Sequence, residues 1–245
     1  MDGARESHSL LDEDGNLFGV VNVVDAMVVV LVLAILVAGG SLLLQPTEKQ
    51  QGPTRYATVS YTVPLDSSAV GLSAGETLDP VRGGDALNVT DVHRSFARNG
   101  SGHVVARVSY HGPMTVSDQQ HYGGESFDVT ARSYRMPIAL LAVDQDVSTL
   151  ETRPVSVTIG VNGTVARTLS AQQQIRFRDT TIGTVTAVGQ SKTGAWNTPV
   201  TLRLVGWERD TGVYFGGTSL RVGNHVTVVT DEAVVSGPIR DVDRE

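Results

Sequence analysis

From Thr54 onward the chain alternates. Thr54-Arg55-Tyr56-Ala57-Thr58-Val59-Ser60-Tyr61-Thr62-Val63 sets Ala57, Val59, Tyr61 and Val63 on one side and polar residues on the other. Period two predicts a strand with one buried face. The pattern returns 98 residues later over Thr152–Val161, with Val155, Val157, Ile159 and Val161 in the same phase. Further blocks recur in order. Leu72-Ser73-Ala74 matches Leu169-Ser170-Ala171, and Asn88-Val89-Thr90-Asp91-Val92 matches Thr184-Val185-Thr186-Ala187-Val188. Val104, Ala106 and Val108 match Val200, Leu202 and Leu204, and the pair Gly123-Gly124 matches Gly216-Gly217. A one-residue slip would turn every side chain to the other face, so the shared phase is informative. Short alternating strands with glycine turns, and no amphipathic helix, predict an all-β fold. It is read as two tandem, duplicated small β-sandwich or barrel domains at residues 54–148 and 149–245. The two glycine pairs are expected at equivalent turns.

Upstream the pattern changes. Ala26 to Leu44 is nineteen residues without a charge. At about 1.5 Å per residue such a helix spans a hydrocarbon core of about 30 Å. A single N-terminal transmembrane helix is therefore predicted at 23–44, after an acidic tail at 1–22 and before a polar linker at 45–53 (QPTEKQQGP). A cleaved signal peptide needs a basic start and a shorter core, and this tail is acidic.

Charge sharpens that division. Net charge is −7, but residues 1–25 hold six acids and only Arg5, leaving −2 for the rest. No basic field exists for bulk nucleic-acid binding. There is no cysteine, so disulfide and thiol chemistry are excluded. Lys49 and Lys192 stand against seventeen arginines, an archaeal-like, GC-rich and halophilic style of composition. For orientation, Arg5 before the span faces Lys49 and Arg55 after it, a count too small to decide. The glycosylation triplets at Asn88, Asn99 and Asn162 lean the other way and place the β-rich bulk outside the cytoplasmic membrane.

The run Leu11-Asp12-Glu13-Asp14-Gly15-Asn16-Leu17-Phe18-Gly19, then Asn22 and Asp25, carries a resemblance. It resembles the opening of domain-of-unknown-function family 4330, "D-E-x-G-x-L-F-G-x-x-N-x-x-D" followed at once by one membrane span. The resemblance implies a single anchor with an extracytoplasmic β domain, an anchor motif at Asp12, Gly15, Leu17, Phe18, Gly19, Asn22 and Asp25, and no known activity. Members usually carry basic residues between the acids and the span; this chain has Asp14, Asn16 and Val20 there. An EF-hand loop from Asp12 would need glycine sixth and glutamate twelfth, where Leu17 and Val23 stand. The stretch reads instead as a turn at Gly15-Asn16, an interfacial Phe18, and Asp25 capping the span.

Catalytic constellations are weak. Gly71-Leu72-Ser73-Ala74-Gly75 fits G-x-S-x-G, but Pro80 opposes the helix that a nucleophile elbow requires. His103 and His111 are expected to approach on adjacent strands, without a third ligand for a metal. Arg176 and Arg178 flank Phe177 and are expected on one face of a strand; with Arg167, Arg203 and Arg209 they make the second half mildly basic. Segments around Gly71–Val92 and Thr168–Val188 are weakly similar to the mammalian-cell-entry domain of lipid-transport systems, which implies a lipid-carrier module. The reading is a membrane-anchored cell-envelope β protein of binding or assembly type. It has no catalytic activity, no cofactor and no metal. Its partners are the lipid bilayer, an envelope protein or polymer, and a second copy of the chain, with no nucleic acid. A lipid carrier and a serine hydrolase at Ser73 are the alternatives.

Overall fold

The computed structural model describes residues 16–17, 21–22, 28, 52–116, 119–132, 134–190 and 197–243. Apart from Val28, the expected span lies outside these residues. Among the described residues no helix is long and apolar enough to cross a membrane. Residues 1–50 and 51–245 form two units. In the first, β1 (Asn16–Leu17) pairs antiparallel with β2 (Val21–Asn22), Leu17 opposite Val21. Asn16 thus opens a strand, which corrects the expected turn at Gly15-Asn16. Its ladder partner Asn22 satisfies backbone groups that a turn would leave to solvent.

In the second unit the alternating stretches form strands as expected. β3 (Thr54–Val63), β4 (Thr77–Pro80), β5 (Leu87–Phe96) and β6 (Gly102–His111) are followed by a small hairpin, β7 (Thr115–Val116) and β8 (Gln119–Gln120), and by β9 (Ser126–Ala131) and β10 (Tyr134–Gln145). They close into a barrel in the order β10-β3-β6-β5-β4-β9. Its interior is filled by Val59, Val104, Ala106, Val108, Val129 and Leu140, all with no exposed surface. Small β-branched residues suit this, because a six-stranded barrel has room only for side chains.

The rest of the chain gives β11 (Thr152–Val161), the one-turn helix α1 (Gly163–Ala166), β12 (Gln174–Phe177), β13 (Thr180–Val188) and β14 (Thr198–Arg209). The hairpin β15 (Gly212–Phe215) and β16 (Thr218–Ser219) follows, then β17 (His225–Val229) and β18 (Val234–Asp243). The order is β12-β13-β14-β11-β18-β17, with β15 and β16 extending β14. Position for position this is the order of the first barrel. The difference is closure. β4 pairs with β9 through Asp79↔Thr130 and Pro80↔Val129, whereas β12 and β17 lie side by side without a ladder.

Irregularities match as well as strands. The β5–β6 register slips between Val89 and Asp91, and the β13–β14 register slips between Val185 and Ala187. The bulged residue is a threonine in each. Thr90 Oγ1 lies 3.2 Å from the Arg107 carbonyl and Thr186 Oγ1 donates to the Thr201 carbonyl at 3.1 Å. Left-handed backbone recurs at Gly75 (φ 88) and Gln172 (φ 71), whose amides donate to the Val89 and Val185 carbonyls.

The glycine pairs do not match. Gly123-Gly124 leads into β9, while Gly216-Gly217 turns β15 into β16. The turn equivalent to Gly124-Glu125 is Gly223-Asn224. Gly124 N donates to Leu140 O and Leu140 N to Glu125 O, as Gly223 N does to Ile239 O and Ile239 N to Asn224 O. The glycine word recurs because both are tight turns, which favour glycine for its positive φ wherever they occur.

Candidate functional site

The outer face of the first barrel is not solvated. In β6, Val104, Ala106 and Val108 point inward, so Val105 and Arg107 point out; yet both are buried, as are Thr58 and Ser60 of β3. The second half covers them. Val105 packs with Leu150 and Trp207, and Leu141 and Tyr214 flank that cluster. Other contacts run along the same seam. Phe96 and Phe177 meet with ring centroids 5.3 Å apart, Gly216 N donates to Ser95 Oγ at 3.0 Å, and Thr227 Oγ1 donates to the Arg98 carbonyl at 2.9 Å.

At one end the seam opens into a cleft of about 300 Å³. Thr58, Arg107 and Trp207 form its buried floor, Leu141 and Ala142 line a wall, and Glu151 and Asp210 are exposed at the rim. Arg107 Nη1 donates to Thr58 Oγ1 at 2.8 Å and Nη2 to the Thr149 carbonyl at 3.3 Å, but its Nε is buried without a partner. Among the described residues no carboxylate lies within ion-pair distance of it. Asp91 is occupied elsewhere, accepting from Val92 N at 2.7 Å and Leu150 N at 2.8 Å. Burial lowers the Arg107 pKa from its ordinary range, while Asp91 and Glu151 act from a distance to raise it. Above the floor, the Arg209 guanidinium sits 5.2 Å from the Trp207 ring and 5.4 Å from the Tyr214 ring, a cation–π arrangement that fixes the rim.

A second polar feature lies deeper in the seam. His93 stands opposite Val105 and His103 opposite Ser95, so the imidazoles are diagonal neighbours across β5 and β6. His93 Nε2 and His103 Nδ1 are buried without partners. Burial pushes both histidines down to about 4, and each is neutral at neutral pH.

The expected pairing of His103 with His111 is corrected: both lie on β6, at opposite ends, because the strand is longer than the alternation alone suggested. His111 Nδ1 is 3.5 Å from Thr54 Oγ1 instead. Among the described residues no three His, Cys, Asp or Glu side chains gather as a metal site. Ser73 is exposed, donates to the Gly71 carbonyl at 3.0 Å, and sits between a 3₁₀ turn (Ser68–Gly71) and β4, so no strand-to-helix elbow surrounds it. Arg176 stays on β12 and binds Gln174 Oε1, but Arg178 has left the strand at φ 53 and donates to the Ser67 carbonyl of the first half at 2.9 Å. The shared arginine face is corrected, since β12 ends at Phe177 and the chain turns there.

Asn88 lies exposed on β5 and Asn99 exposed in the β5–β6 turn, where its Oδ1 accepts from Ser101 N at 3.1 Å. Asn162 caps α1, accepting from Thr164 N at 2.8 Å. Of the anchor motif, Leu17 and Asn22 fall in β1 and β2; Asp12, Gly15, Phe18, Gly19 and Asp25 lie outside the described residues. The cleft went unseen in the sequence. Its one signal was Val105, an apolar residue in the outward phase of β6.

Residues 9–95 match the family described as Domain of unknown function (DUF4330). That match runs from the acidic motif into β5 and ends before the strand that carries Arg107. No curated protein and no solved structure matches the chain.

Proposed function

We propose that the chain is a membrane-tethered binding protein of the cell envelope, with its β unit outside the cytoplasmic membrane and no catalytic role. The observation that carries the binding reading is the seam cleft. A folded protein normally pairs a buried guanidinium, because an uncompensated buried charge is costly. Here Arg107 lines an open cavity and, among the described residues, has no carboxylate partner. The tether rests on the uncharged run Ala26–Leu44 and on the match of residues 9–95 to the family. The reading includes a duplicated β unit. Support comes from the common strand order, from the threonine bulges at Thr90 and Thr186, and from the left-handed turns at Gly75 and Gln172. The packed interior of the first barrel lends no support to a lipid carried inside it.

Washing membranes that contain the full chain tests the tether. The account expects retention through molar salt and release by detergent, because burial of about nineteen apolar residues is insensitive to ionic screening. Release by salt alone would replace the tether with a peripheral, charge-held contact.

A further inference from the structure

We infer that the folded chain carries an N-linked glycan at Asn99, and that Asn88 and Asn162 stay bare although all three open Asn-x-Ser/Thr triplets. This rests on the outward placement proposed above and is independent of the cleft.

Folding gives the three triplets different chemistry. Asn88 lies within β5, in the wall of the closed barrel, opposite Thr77 of β4 and Ser109 of β6. A transferase must draw the acceptor segment into its own cleft, and a strand laddered on both sides leaves only if its backbone hydrogen bonds are broken. The hydroxyl of that triplet is also spent, with Thr90 Oγ1 2.6 Å from the Ser148 carbonyl and 3.2 Å from the Arg107 carbonyl. Asn162 is half-buried between β11 and α1, the next residue Gly163 is buried, and its Oδ1 holds the first turn of α1 through Thr164 N. Asn99 differs from both. It is exposed in the turn that joins β5 to β6, and this turn is seated on the second half through the Arg98 carbonyl. Gly100, at φ 82, tightens the turn. Ser101 N and Ser101 Oγ then stand 3.1 Å and 2.5 Å from Asn99 Oδ1, so both donors of the triplet converge on the amide oxygen. An amide nitrogen is a weak nucleophile because its lone pair is delocalised into the carbonyl. Donors on Oδ1 draw charge onto the oxygen and make the Nδ2 protons easier to lose. The sugar donor is an oligosaccharide joined through phosphate to a polyisoprenyl lipid. Nδ2 gives a proton to a base of the transferase and bonds to C1 of the sugar. The C1–O bond breaks, and its electron pair leaves with the lipid phosphate. A bulky polar group on this exposed turn displaces no buried contact.

The test uses the full chain purified from the membranes of the cells that make it. Intact mass is measured for the wild type and for variants, and peptide mass spectrometry places any sugar. The inference expects a wild-type mass above the 26.0 kDa of the polypeptide by whole sugar residues, all on peptides that contain Asn99. Asn99→Gln and Ser101→Ala should each return the mass to that of the bare polypeptide, and Ser101→Thr should keep the sugar. Asn88→Gln combined with Asn162→Gln should lose none. A wild-type chain with Asn99 bare overturns the inference. So does sugar on Asn88 or Asn162, which would mean that the triplet is read without regard to the fold. Trypsin treatment of intact cells separates this from the placement. A β unit released bare sinks the glycan alone, whereas one cut free only after the cells are opened sinks both.

Discussion

His93 and His103 are the residues whose burial leads most directly to a measurable property. Each is held neutral with a pKa of about 4, against 6.5 for an exposed imidazole. Desolvation is the main cause for both. For His93 the neighbouring His103 and Arg94 push the same way, and Asp91 opposes them. The unfolded chain therefore binds more protons between those values. Stability is complete above pH 6.5 and falls as pH drops from 6.5 toward 4, by about 3 kcal/mol per histidine at most. Denaturant titrations across that range should show the fall, and His93→Gln with His103→Gln should flatten it. A flat wild-type profile would contradict the burial. Gly216 is the second decisive residue. Its φ is 59, and a Cβ there would collide with the Phe96 carbonyl. Gly216→Ala should cost at least about 2 kcal/mol, read as a lower denaturation midpoint. Neither effect was legible in the sequence, because both depend on which outward face the second half covers. Alternation announces that a face exists. It does not say whether water or protein meets it.

The elements were more legible than their turns. The phase of β3 and β11 follows from period two alone; the partners Val59 with Ala106 and Val157 with Leu202 come only from the fold, because alternation sets a face and not a register. The bulges at Thr90 and Thr186 did not announce themselves, since an extra residue in one strand leaves no mark on composition. The glycine pairs misled for the opposite reason: glycine marks a turn and says nothing of which turn it is. The equivalent turns at Gly75 and Gln172 give a matched test. Both adopt left-handed backbone, but only one is glycine. Gly75→Ala should destabilise by about 1 kcal/mol, and Gln172→Gly should stabilise by a smaller amount because strain relief exceeds the added chain entropy. If both substitutions destabilise equally, the two turns are not alike. The measurement is the denaturation midpoint of each variant.

At the scale of the molecule the seam joins what the sequence presents as two domains. Phe96 on Phe177, Ser95 on Gly216 and Arg98 on Thr227 bind the halves, and residues 51–245 form one compact unit. Calorimetry of the full chain should therefore show one cooperative unfolding transition with equal calorimetric and van't Hoff enthalpies; two separable transitions would mean that the seam adds little. The apolar run and the linker are read from the sequence and the cleft from the fold, and the proposed tethered, outward-facing binding protein rests on both. Trypsin treatment of intact cells tests this most directly. Lys49 stands in the linker between the run and the compact unit, where cleavage after it frees the β unit. The account predicts that this unit, beginning near Gln50, appears in the supernatant of intact cells while a cytoplasmic marker stays intact. A full-length chain that resists trypsin in intact cells, and is cut at Lys49 only after the membrane is opened, would place the β unit inside and contradict it.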